Sequence, residues 1–307
     1  MKNMHYIGFD IHKKVISFCE KQMDGTIVDQ GVIKATRQNL NNWVGERKVP
    51  WIGAMEATLF TGWIYDHLLP YAEELKVAHP EMLKAITAAK KKNDAADAEK
   101  IADLLRCNLL PECYMAPEEH RNLRRILRYR NLLVREASKM KTKTATLLME
   151  VGAEYNKRRL HGNRYFQELL STLDHVPESV LNLLQMSRSS MEFFDKMQKT
   201  LVSALRNDPQ ISHRLELLMS IRGVGEVTAL TWVLEIGDVN RFGRISQAAK
   251  LAPHWNPQLA EVHEQELRKG NRNRATLAVA RKLVAYLMAV DKNQKRFVPK
   301  EVLEKAA

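Results

Sequence analysis

Short apolar runs dominate the first third of the chain. Residues 6–11 (Tyr-Ile-Gly-Phe-Asp-Ile), 15–18 and 26–33 read as three β-strands, with the turn Met23-Asp24-Gly25 between the second and third. A helix is expected over 39–46 and a buried strand over 51–55. Beyond it, a helix over 59–69 stops near Pro70, a short strand covers 75–78, and another helix covers 80–88. Three strands followed by strand–helix alternation is an α/β pattern with a mixed sheet. Asp94 then opens a helix running to about residue 105.

From residue 118 onward the strand signal disappears. Leu123, Ile126, Leu127, Val134, Ala137, Met140 and Leu148 recur at near-helical spacing, so one amphipathic helix is expected across 121–164. That stretch carries 13 Lys or Arg against Glu136, Glu150 and Glu154, a face fit for solvent, nucleic acid or another subunit. Further helices are expected over 177–204 and 275–290, and a new unit begins near Leu215. The expected organisation is an α/β domain at 1–110, a basic helical or coiled-coil region at 111–210 and a C-terminal domain at 211–307.

The formal net charge of +12 and the pI near 9.5 favour a polyanionic partner, because Lys and Arg facing phosphates release condensed counterions. Three cysteines without metal-ligand spacing argue for a reducing compartment. With no signal-peptide pattern and no apolar stretch of membrane-spanning length, the expectation is a cytoplasmic protein.

Four acids stand out against this background. Asp10 lies near the end of the first strand and Glu56 ends the fourth, so adjacent strands would bring their carboxylates together. Asp94 and Asp97 lie three apart at a helix start and face one side, although the same pair also suits helix capping. Four gathered carboxylates repel one another unless a divalent cation neutralises them, and Mg2+ or Mn2+ suits such oxygen ligands.

The blocks Tyr-Ile-Gly-Phe-Asp10-Ile-His-Lys-Lys, Met-Glu56-Ala-Thr and Lys-Lys-Asn-Asp94-Ala-Ala-Asp97-Ala closely resemble the signatures of the IS-one-ten (IS110) family of insertion-sequence transposases, relatives of the Piv-type DNA invertases. The resemblance implies an RNase H-like (RuvC-like) domain whose DEDD site is Asp10, Glu56, Asp94 and Asp97. It further implies a coiled-coil region, a C-terminal transposase domain with a nucleophilic serine, a structured guide RNA, DNA as substrate, and a homo-oligomer. Ser220-Ile-Arg-Gly223-Val-Gly225 resembles the family's helix–hairpin–helix-like segment, whose glycine turn can meet a phosphate. Arg121, Arg124, Arg125 and Arg128, with Arg272 and Arg274 near a basic turn, are the other candidate nucleic-acid contacts.

The sequence departs from the family pattern after Gln247. It runs directly into Ala-Ala-Lys-Leu-Ala-Pro-His-Trp, text resembling the region beyond the serine-bearing stretch, and no serine follows Ser246. The reading is an internal deletion that removes the nucleophile. Three functions compete: a transposase or site-specific recombinase, decayed by that loss; a metal-dependent nuclease of branched DNA; and a non-catalytic nucleic-acid-binding remnant.

Overall fold

The structure, a computed structural model, describes residues 4–86, 94–173, 176–242 and 274–298, the side chains of Asp94 and of 274–282 excepted. The chain forms two compact units, Met1–Glu118 and Glu119–Ala307.

In the first unit, strands β1 (His5–Ile11), β2 (Val15–Lys21), β3 (Ile27–Lys34), β4 (Trp51–Glu56) and β5 (Glu74–Ala78) form one sheet in the order β3-β2-β1-β4-β5. β1 pairs antiparallel with β2, and β2 with β3, whereas β1–β4 and β4–β5 are parallel. This mixed sheet is that of an α/β, RNase H-like domain, and β1 and β4 are neighbours as the acidic reading requires. Helix α1 (Arg37–Gly45) begins where the Thr36 hydroxyl accepts the Asn39 N–H. Together with α2 (Thr61–Leu68) it covers one face, where Ile7, Phe9, Trp43, Trp51 and Met55 pack as a core.

Helix α3 (Pro80–Ile86) precedes α4 (Asp94–Arg106), which covers the opposite face. Ile52, Ala54, Ile101 and Leu105 are among the residues gathered there. Gly8 permits this packing: a Cβ at Gly8 would collide with the Ala98 carbonyl oxygen and lie 2.5 Å from the Ala102 nitrogen. Lys21, opposite Tyr6 near the start of β1, donates to Glu99 at 2.9 Å and to Asp103 at 2.9 and 3.0 Å. Arg106 lies against Gly25, beyond the end of β2. α4 therefore runs antiparallel to β1, with its first turn over the strand's C-terminal end.

The second unit is helical. α5 (Glu118–Glu150) and α7 (Glu178–Arg206) form an antiparallel pair: Leu123 and Leu127 cluster with Val202 and Leu205, whereas Leu147 and Leu148 cluster with Leu184. The single helix expected across 121–164 ends instead at Glu150. Gly152, at φ +68°, donates to the Met149 carbonyl and Ala153 to the Leu148 carbonyl, a left-handed glycine stop. A connecting loop and α6 (Asn163–Ser171) complete the stretch. α8 (Ser212–Met219), α9 (Glu226–Ile236) and α10 (Arg274–Asn293) follow. The Asp291 carboxylate, 1% exposed, accepts from Arg214 at 2.6 Å and Trp232 at 2.8 Å, tying these three helices together. No helix among the described residues is long and apolar enough to cross a membrane.

Two outcomes follow from the α4 packing. Gly8→Ala should cost about 3 kcal/mol or prevent folding of the first unit, because backbone rather than a yielding side chain blocks the new methyl; chemical denaturation measures it. The Asp103 carboxyl is pushed up by burial, but bonds from Lys21 and Arg106 outweigh this and hold it below its ordinary value. Its contribution is present above the ordinary carboxylate range and is lost as pH falls through the depressed value. Lys21→Met should therefore cost about 2 kcal/mol near pH 7, the partial exposure of the two acids being allowed for. The gap between parent and variant should shrink as pH falls below the ordinary carboxylate range and through the lowered Asp103 value; a gap independent of pH would count against this pairing.

Candidate acidic site and nucleic-acid interface

Side chains alternate along a strand, so Tyr6, Gly8 and Asp10 face α4, as do Ile52, Ala54 and Glu56 on β4. Phe9 is opposite Met55 in the parallel register, which makes Asp10 and Glu56 neighbours at the strand ends, roughly 5 Å apart in backbone. Asp10 is 8% exposed, and its Oδ2 lies 3.1 Å from His12 Nε2. Such a buried carboxylate needs polar partners. Glu56 is half-buried, and its carbonyl accepts from the Thr61 hydroxyl at 2.6 Å, while that hydroxyl accepts from the Thr58 N–H at 2.8 Å. This threonine turn fixes the backbone immediately after the acid.

The first turn of α4 arrives at the same edge. Asp97 is half-buried and accepts from Lys100 at 2.8 Å, one helical turn along. The backbone of Asp94 begins α4, but its side chain lies outside the described residues. Among the described residues, no three His, Cys, Asp or Glu side chains are grouped to hold a metal ion. The arrangement thus brings Asp10 and Glu56 together and directs the Asp94–Asp97 turn toward them. Both strand acids offer oxygen donors of the kind a divalent cation takes, and they fit that role.

Three residues at this edge had no role assigned from sequence. His12, Lys13 and Lys14 form the exposed β1–β2 turn beside Asp10, and their presence in the Asp-Ile-His-Lys-Lys block was the available signal.

The arginines nominated on α5 divide into two kinds. Arg124 donates to the Leu234 carbonyl at 2.7 Å, and Arg128 makes two bonds to Glu235 at 2.9 and 2.8 Å. His120 also reaches the Leu234 carbonyl, at 3.1 Å. Burial, then Arg124, lowers its pKa and favours the neutral ring that donates there. These groups satisfy the C-terminal end of α9, where helix carbonyls lack internal partners. Arg125 is exposed and bonds Asn122, while Arg121 is half-buried.

Gly223, at φ +93°, and Gly225, which precedes α9, form the turn between α8 and α9, while Ile221 and Val224 sink into the core. A Cβ at either glycine would meet nothing within 4 Å, so the turn is open on its outer side. Ser246, Arg272 and the side chain of Arg274 lie outside the described residues, as does the junction after Gln247.

The mixed sheet followed by helices defines the class, an α/β RNase H-like domain with a helical C-terminal part. A family model of the DEDD IS110 type, described as "Transposase", matches residues 7–152, and one described as "Transposase IS116/IS110/IS902 family" matches 215–253. The transposase for insertion sequence element IS1328 of Yersinia enterocolitica is 21% identical over 245 residues, covering 79% of this chain and 71% of its own length. The putative transposase y4qE of Sinorhizobium fredii is 22% identical over 248 residues, covering 77% of this chain and 59% of its own. The chain belongs to the IS110 family of insertion-sequence transposases.

Arg124→Ala should lower the stability of the second unit by about 2 kcal/mol, because it strips a partner from a half-buried helix end. Arg125→Ala should change it by less than about 0.5 kcal/mol. Urea unfolding of both variants measures the contrast, and equal effects would refute the division of the arginines.

Proposed function

We propose that this chain acts on DNA as a recombinase through a divalent-cation site built from Asp10, Glu56, Asp94 and Asp97. What supports this reading is the neighbouring place of Asp10 and Glu56 in the β1–β4 register, with α4 running antiparallel to β1 so that its first turn lies toward the same end. Mg2+ or Mn2+ held there supplies charge neutralisation and polarisation of a phosphodiester oxygen. Asp10 and Glu56 are the strand-borne ligands, and Asp94 and Asp97 the helix-borne ones, with Asp97 exchanging its bond to Lys100 for that role. His12 orients the Asp10 carboxylate, while Lys13 and Lys14 draw the DNA backbone to the edge.

The wider reading has three functional regions at 1–110, 111–210 and 211–307. DNA and a structured guide RNA are held by the exposed Arg125, the half-buried Arg121, the open Gly223–Gly225 turn, and Arg272 and Arg274. The protein is cytoplasmic and assembles with copies of itself. Because no serine follows Ser246 in this sequence, the proposal includes loss of the covalent serine step through an internal deletion. That observation favours a second reading, cleavage of branched DNA by water attack at the same acids.

The deciding experiment incubates the chain with duplex, branched and RNA-paired DNA, with and without Mg2+ or Mn2+, beside Asp10→Asn and Asp97→Ala. Metal-dependent cleavage should fall by about a hundredfold or more in both variants while DNA binding persists. Cleavage unaltered by either substitution removes the acidic site from the reaction. No cleavage by the parent leaves the chain a binding protein.

A further inference from the structure

Helix α7 carries two apolar faces, and only one is buried among the described residues of the unit. Leu184, Met191, Val202 and Leu205 are buried. About a third of a turn around the helix, Leu183 (45% exposed), Met186 (65%), Phe193 (59%) and Met197 (36%) stand in solvent. With Ser190 and Thr200 they fall at spacings of three and four, the seam of a heptad helix. Their exposed apolar surface is roughly 400 Å2, the size of the largest apolar patch on a typical monomer, which often serves a function.

We propose that this seam pairs antiparallel with the same seam of a second copy of the chain. This names the surface for the self-association in the reading above. In an antiparallel pair whose twofold axis passes between residues 191 and 192, Met186 meets Met197 of the second copy, Phe193 meets Ser190, and Leu183 meets Thr200. Ser179 and Ala204 close the ends. That axis falls at the midpoint of Glu178–Arg206, so the two helices overlap along their full length. Large side chains then face small ones, as interlocking packing requires. The Thr200 hydroxyl already donates to the Lys196 carbonyl and can turn its methyl to the seam.

Charge favours the same arrangement. Antiparallel pairing sets the acidic start, Glu178, against the basic end, Arg206, and opposes the two helix dipoles. A parallel pair would stack Phe193 on Phe193 and Ser190 on Ser190, leaving a gap at the serine layer, and would place Lys196 beside Lys196. No cation lies within the seam itself, which argues against a nucleic acid as its occupant.

Light scattering coupled to size exclusion tests the proposal with three full-length double variants of Met186 and Met197. M186K/M197K and M186E/M197E should each have half the parent's mass, and mixing the two should restore it. M186K/M197E places unlike charges in register only in the antiparallel pair, so it should keep the parent's mass; its dissociation would overturn the antiparallel register. Because all three carry changes at the same exposed positions, a general folding defect cannot produce this pattern, and matching circular dichroism checks it. A parent that remains associated with all three variants unchanged overturns this seam but leaves self-association through another surface. A monomeric parent overturns both, and is also the outcome if another segment of this chain covers the seam.

Discussion

The first unit depends on one close approach. At Gly8 the central strand offers no side chain, and α4 lies so near that its backbone at Ala98 and Ala102 occupies the space a methyl would need. Helix-to-sheet contact at that depth fixes the helix in rotation as well as distance. It also fixes which end of α4 lies over which end of β1, and Lys21 reinforces that direction from below. Everything said of the acidic edge follows: a helix-borne acid can be a neighbour of Asp10 only if the first turn of α4 lies over the strand's exit.

The second unit relies on a different device. Its helices are joined by polar groups that close helix ends, rather than by apolar contact alone. Arg124 and His120 both reach the Leu234 carbonyl in the last turn of α9, and Asp291 gathers Arg214 and Trp232. Each of these bonds spans tens to a hundred residues of sequence, and each would leave a buried polar group unmatched if broken.

Much of the first unit was legible before any coordinates. Alternation along Tyr6–Ile11 and Trp51–Glu56 determines which side chains share a face, so the Asp10–Glu56 pairing needed only adjacent strands. The place of α4 was legible only in part, because nothing local shows that Gly8 is empty in order to admit a helix. In the second unit, periodicity misled: the amphipathic pattern continues past Glu150, and Gly152 was the single stop signal. The partners of Arg124 and Arg128 were invisible, since a run of arginines looks alike whether it meets phosphate or a helix end more than a hundred residues away. The exposed seam of α7 was hidden for a related reason. Leu183 and Phe193 look like core residues until the burial of Leu184 and Met191 shows that the core lies on another side.

The arginines bonded within the fold change where the chain's charge is offered. A formal excess of +12 counts every guanidinium equally, yet Arg124, Arg128 and Arg214 are committed to carbonyls and carboxylates of their own fold. The Arg128–Glu235 and Arg214–Asp291 pairs cancel within that total, while Arg124 is held mainly by a carbonyl. The excess offered to DNA is therefore unchanged in size but more directional than the total implies. Added salt screens the exposed Arg128–Glu235 pair as it does phosphate contacts, and reaches the buried Asp291 cluster far less.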